Sequence, residues 1–193
     1  QREKRFFFLT DGDSGACRCP ACVALDPLPD RCTDRNFRWV NSVAREVRLR
    51  HPDKVMMGIA YASYTKPPLH EAPESNVVVL YAPWYWNSRS TAAKTFANPL
   101  NMTAMKEFMG WAIRFPGQMG VYDYPGGWVR GQADRLKFLA KNQARVFYAC
   151  GGSGDLYQWV NANLLWDPFL NTEDLVDEFV SAYYGAAAAP MAA

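Results

Sequence analysis

Two carboxylate positions, a set of aromatic rings and a group of cysteines are the residues of this 193-residue chain whose types and spacing suit chemistry. Asp11 and Asp13 follow the apolar run Phe6-Phe7-Phe8-Leu9, and Asp123 ends the run Val121-Tyr122-Asp123, where an unpaired carboxylate would be costly. Cleaving a glycosidic bond needs such a pair: one carboxyl protonates the leaving oxygen, the other serves as nucleophile, base or orienter of a substrate group. Asp11 and Asp123 are therefore the candidate catalytic residues. Asp13, Tyr61, Trp84, Tyr124, Trp128 and Tyr148 are candidate substrate contacts, since ring faces stack on the C–H face of a sugar while carboxylates bond its hydroxyls. Plainer roles stand beside these. Asp11 also suits a loop cap, Asp13 a simple loop position, and part of Trp84-Tyr85-Trp86 the core, although successive strand residues cannot all face inward.

Cys17, Cys19, Cys22 and Cys32 follow the spacing C-x-C-x2-C-x9-C, and Cys150 is remote. The four suit one or two disulfides in a secreted protein, a four-thiolate structural zinc site for which the C-x-C pair is awkward, or free thiols. At least one bridge is expected, because a long loop with few apolar residues cannot order itself by burial. Asn101-Met102-Thr103 is a glycosylation sequon, with Asn101 the candidate acceptor, and it tilts the reading toward an extracellular or secreted protein.

Other chemistries find less support. There is no G-x-S-x-G elbow, neither His51 nor His70 follows a strand, and no H-E-x-x-H occurs. Two histidines are too few for most catalytic zinc sites, so no cofactor and no catalytic metal are expected. Asp11-Gly12-Asp13-Ser14-Gly15 would repel a phosphate, which disfavours a dinucleotide fold. Lys and Arg number 21 against 19 Asp and Glu, a net charge of +2 that gives no grip on nucleic acid. The most apolar stretch, 77–86, has strand length, so no membrane partner is expected.

These residues need elements to hold them. Strands are predicted over 5–10, 55–62, 76–84, 119–124 and 144–149. Helices are predicted from a Thr33 or Asp34 cap to His51, then over 102–115, 133–142, 155–166, and 175–184 with Asn171 as cap. The Pro-rich segment 66–75 joins the second and third strands without a helix, and His70 and Glu71 are expected to be solvated at the sheet's opposite end. Strands alternating with helices define an α/β protein with a parallel sheet and right-handed crossovers. That sheet is either open and doubly wound or the later part of a barrel, and the start at Gln1 without a first helix favours the barrel. In either case the working residues lie past the carboxyl ends of the strands. The organisation expected is one domain over 1–185 and a low-complexity tail over 186–193.

Leu9-Thr10-Asp11-Gly12-Asp13 followed by Cys17-Arg18-Cys19-Pro20-Ala21-Cys22-Val23-Ala24-Leu25-Asp26 resembles the P-N-D-G…C-x-C-x-x-C-x-x-L-D signature of a glycosidase-like domain family long labelled as of unknown function. That family is related to endo-β-N-acetylglucosaminidases and, more distantly, to hexosaminidase and α-glucuronidase barrels. Ala60-Tyr61, Lys66-Pro67-Pro68, Asn76-Val77-Val78-Val79, Val121-Tyr122-Asp123-Tyr124, Leu164-Leu165-Trp166-Asp167-Pro168 and Tyr183-Tyr184-Gly185 follow in the family's order. The resemblance implies a (β/α)8 TIM-type barrel of which this chain is the C-terminal portion, about strands 4 to 8. It puts Asp11 after strand four and Asp123 after strand seven. Thr10 stands where the family usually has Asn, and Phe147-Tyr148-Ala149-Cys150 where many members carry Phe-Glu-Gln-Gly, so a strand-eight carboxylate is missing.

The function expected is a carbohydrate-active domain that hydrolyses a glycosidic bond, with an N-acetylhexosamine in view, whose own acetamide would be the nucleophile. The alternative is a non-catalytic carbohydrate-binding or structural domain on the same fold. Its partners would be an oligosaccharide or glycan, and an upstream part of the same barrel or a partner chain supplying the remaining strands.

Overall fold

A computed structural model of the chain describes residues 4–10, 16–29, 31–83, 99–124, 129–150 and 154–191. Among the described residues there are five strands: β1 (Phe6–Leu9), β2 (Val55–Ala60), β3 (Val77–Tyr81), β4 (Met119–Asp123) and β5 (Val146–Ala149). The helices are α1 (Pro20–Val23), α2 (Thr33–Arg50), α3 (Met102–Arg114), α4 (Val129–Lys141), α5 (Asp155–Trp166), α6 (Thr172–Tyr184) and α7 (Ala188–Met191). Each expected strand and long helix is found, most with ends shifted by one to four residues. Two differences concern caps and tail. The N-cap of α2 is Cys32 rather than Thr33 or Asp34, and the tail carries the short helix α7. Asn171 caps α6 as expected, its side chain accepting from the Glu173 N–H at 3.0 Å.

The strands form one sheet in the order β1-β2-β3-β4-β5, with β1 through β4 parallel in register. A doubly wound sheet reverses its order at a switch point. This one never does, so it winds in one direction, as a barrel wall does. Its curl is visible across the inner face. Four spacings of about 4.8 Å would put β1 and β5 about 19 Å apart in a flat sheet, yet the rings of Phe8 and Tyr148 lie 5.8 Å apart. The sheet is a curled, five-stranded parallel half-barrel, compatible with part of a (β/α) barrel.

Chain contacts divide the molecule into two compact units, the first holding 1–85, 103–124 and 143–148. In this unit α2 lays Phe37 and Val40 against Gly58 of β2, where an added Cβ would stand 3.3 Å from Val40. Phe37 and Trp111 of α3 meet at 5.0 Å, both fully buried. The segment from β2 to β3 replaces a crossover helix. It runs along α2, gripped by a polar stripe at helical spacing. Asp34 accepts from the N–H groups of Leu69, His70 and Glu71, Arg38 pairs with Glu71, Asn41 bonds Ala72 and Glu74, and Arg45 and Arg48 pair with Glu74. On its other side, Trp111 donates to the Thr65 carbonyl at 2.7 Å and Arg114 to those of Pro68 and Leu69. Glu71 is thus an anchored residue, not a solvated one, and the His70 backbone is held although its side chain is exposed.

At Gly120 of β4 the neighbouring strands leave no room for a side chain. A Cβ there would stand 2.6 Å from the Val146 carbonyl and 2.7 Å from Leu80. Gly120→Ala is expected to lower the unfolding free energy by about 2 kcal/mol, the cost of overpacking against backbone that cannot yield. Urea denaturation checks this, and an unchanged midpoint would show that the sheet flattens freely.

The second unit holds 86–102, 125–142 and 149–193. Within it Arg130 of α4 makes a bidentate pair with Glu173 of α6 at 2.5 and 2.6 Å, and Trp159 of α5 donates to the Leu175 carbonyl at 3.2 Å. Among the described residues, no helix is long and apolar enough to cross a membrane.

Candidate functional site

Strand pleating decides which side chains share a face of the sheet. Gly58 of β2 meets α2, and Tyr81 of β3 meets Phe108 and donates to Glu107 of α3 at 2.9 Å; these alternate positions look outward to the helices. The intervening positions look inward. There, Tyr122 lies 6.0 Å from Phe8, 4.9 Å from Tyr148 in a stacked pair, and 5.3 Å from Tyr124. Tyr61, Tyr122 and Tyr124 also pack on a small core of Cys32, Ile59, Tyr64 and Ala82. Of the proposed sugar contacts, the fold thus gathers Tyr61, Tyr124 and Tyr148 on one concave face. Phe8 and Tyr122 belong to it too, although neither was singled out from sequence. The signal was there: Phe6 with Phe8 and Tyr122 with Tyr124 repeat at the two-residue period of one strand face.

This face is open. Phe8 is 38% exposed and Tyr148 47%, an apolar surface that a packed barrel interior would normally cover. Asp123 ends β4, at the carboxyl edge where a barrel builds its pocket, and is only 2% exposed. Alternation puts it on the helix side, between the inward-facing Tyr122 and Tyr124. Asp11, Asp13, Trp84 and Trp128 lie outside the described residues. Asn101 is 1% exposed in a 3-10 turn, whereas a glycan acceptor must stand in solvent.

All five cysteines are free thiols, with none of the expected bridges formed. Cys17, Cys19 and Cys22 nevertheless converge, their sulfurs all within 4.8 Å of one another. Cys32 is turned away, its sulfur 3.3 Å from the Ser63 hydroxyl. The cluster owes its shape to Arg35 of α2, which forks onto Asp26 with two bonds of 3.0 Å and donates to the Cys17 carbonyl at 2.7 Å. Within it, the backbone N–H of Cys22 and then the neighbouring thiols of Cys22 and Cys17 lower the pKa of Cys19. Its proton-sharing contact with Cys19 raises that of Cys22. Beside the cluster lies a cavity of about 690 Å³ lined in part by Cys17, Asp26, Cys32, Arg35 and Ser63.

A parallel sheet wound in one direction, aromatic on its inner face, makes this an α/β protein with a curled half-barrel sheet, compatible with part of a (β/α) barrel. The chain belongs to the family described as Domain of unknown function (DUF4838), whose model matches residues 9–193. No curated protein and no solved structure matches it.

Proposed function

We propose that this chain is the carbohydrate-binding and bond-cleaving part of a secreted glycoside hydrolase, forming about strands 4 to 8 of an eight-stranded barrel. The observation that carries the reading is the open aromatic face of Phe8, Tyr122, Tyr124 and Tyr148 on the concave side of the sheet. Rings spaced 5 to 6 Å apart on a curved wall offer a pyranose both stacking surface and hydroxyl partners. The exposed Phe6, Phe8 and Tyr148 near the sheet's two edge strands give further strands a surface to cover. In the reaction, Asp123 is assigned the role of protonating the leaving oxygen. Asp11 would stabilise the developing positive charge or orient the substrate's acetamide.

A second reading, a carbohydrate-binding domain without catalysis, is favoured by two particulars. Asp123 alternates to the helix side of the sheet, and β5 ends in Tyr148-Ala149, followed by Cys150, without a carboxylate. One experiment separates the readings. The intact protein is offered oligosaccharides containing N-acetylhexosamine, with products followed by mass spectrometry and contact by saturation-transfer NMR. Catalysis predicts new reducing ends, and binding alone predicts contact without them. In both, Tyr148→Ala weakens binding about tenfold, the loss of one stacked ring at about 1.4 kcal/mol. Absence of both contact and products ends the carbohydrate reading.

A further inference from the structure

We propose that Cys17, Cys19 and Cys22 form a three-thiolate zinc site, independent of the carbohydrate reading. Zinc bonds thiolate sulfur at about 2.3 Å, which sets tetrahedral sulfurs about 3.8 Å apart. Three sulfurs already within 4.8 Å of one another need only small rotamer shifts to reach that geometry. The loop is also pre-shaped. Backbone bonds from Val23 to Cys19, Ala24 to Pro20 and Leu25 to Cys22, at 2.9 to 3.1 Å, hold the turn between the last two thiols. Arg35 then pins both arms of the loop to the rigid helix α2, through the Cys17 carbonyl and Asp26.

The surroundings suit a metal thiolate better than a bridge. Three sulfurs are an odd number, and a disulfide between any two leaves an unpaired thiol beside it. A bridge across C-x-C or C-x2-C would also close so short a loop that it would restrict the unfolded chain little. A zinc ion engages all three sulfurs and releases their three thiol protons to solvent. Three thiolates and Zn²⁺ carry a net charge of −1, and the Arg35 guanidinium, held beside the cluster by Asp26 and the Cys17 carbonyl, meets it, as outer partners do in metal sites. The fourth position of the tetrahedron falls to solvent. Cys32, bonded to Ser63 and buried, stays outside the site.

The test uses the full chain purified under reducing conditions, stripped with a chelator and titrated with Co²⁺ as a spectroscopic stand-in for zinc. One equivalent should produce the thiolate-to-cobalt charge-transfer absorption together with the visible bands of a tetrahedral site, and Zn²⁺ should displace it. Cys17→Ala and Cys22→Ala should each weaken cobalt binding at least tenfold, while Cys150→Ala binds as the parent does. Cys17 is exposed, so its variant tests the site without disturbing the core; circular dichroism confirms its fold. The proposal is overturned if no charge-transfer band forms, if Cys17→Ala binds cobalt like the parent, or if non-reducing peptide mapping finds a disulfide between two of the three in the native protein.

Discussion

Asp123→Asn, made in the intact protein, should lower kcat for glycan hydrolysis by about a hundredfold to ten-thousandfold, the range expected when a general acid is removed. Asn keeps the volume of the side chain and part of its hydrogen bonding, but it cannot give up a proton to the leaving oxygen. Asp11→Asn should produce a loss of the same order if its carboxylate stabilises the transition state. Because Asp123 is 2% exposed, its substitution will also cost stability, and rates must be normalised to the folded fraction by circular dichroism. KM should move little, since the aromatic face and not the carboxylate supplies most of the binding. A parent-like kcat in Asp123→Asn would make Asp123 a structural residue and place the acid elsewhere.

Asp34→Ala should lower the unfolding free energy by about 3 kcal/mol at neutral pH, as read from urea denaturation. Asp34 is 2% exposed, and its two oxygens accept from three successive N–H groups, of Leu69 at 2.8 Å, His70 at 2.5 Å and Glu71 at 2.8 Å. Removing the carboxylate strands those donors and frees the top of the segment that stands in for a crossover helix. The neighbouring pairs do not compensate: the guanidinium groups of Arg38, paired with Glu71, and of Arg45, paired with Glu74, are about half exposed, so both pairs are screened by solvent.

The same residue sets an acid limb. Burial pushes the Asp34 carboxyl up, but the N–H bonds from Leu69, His70 and Glu71 outweigh it and hold the pKa below its ordinary value. A folded-state pKa below the unfolded one means the stabilisation is complete above the unfolded value, about 3.9, and is lost as pH falls through the folded value. The parent should therefore lose stability below about pH 4 more steeply than Asp34→Ala. Parallel acid limbs in the two proteins would show that this carboxylate carries no linked protons.

The elements of this protein are legible in its sequence because burial on one face leaves a local period. Phe37, Val40, Val43, Ala44 and Val47 recur as only a helix can bury them, and Val77-Val78-Val79-Leu80-Tyr81 reads as a strand covered on both sides. Parallel pairing follows from the alternation of the two kinds of element. Stop signals are equally local, such as Gly117, which adopts a positive φ of 76° after α3. The polar stripe Asp34, Arg38, Asn41, Arg45 and Arg48 was equally visible at helical spacing, but its partners lie about thirty residues away and nothing local names them.

Tertiary structure decided the rest. Whether the sheet winds one way or two depends on which strands become neighbours, a property of chain closure and not of any strand's own pattern. Curl brought Phe8 of β1 onto Tyr122 and Tyr148 of β4 and β5, contacts across more than a hundred residues that no periodicity encodes. Pleat parity then parted Asp123 from its ring neighbours, because β4's register against β3 fixes which of two adjacent residues faces inward. The cysteines show the same division. Their spacing announces a ligand set or a bridge, but only the fold, by sending Arg35 from α2 into the loop and Cys32 to Ser63, selects which three sulfurs meet.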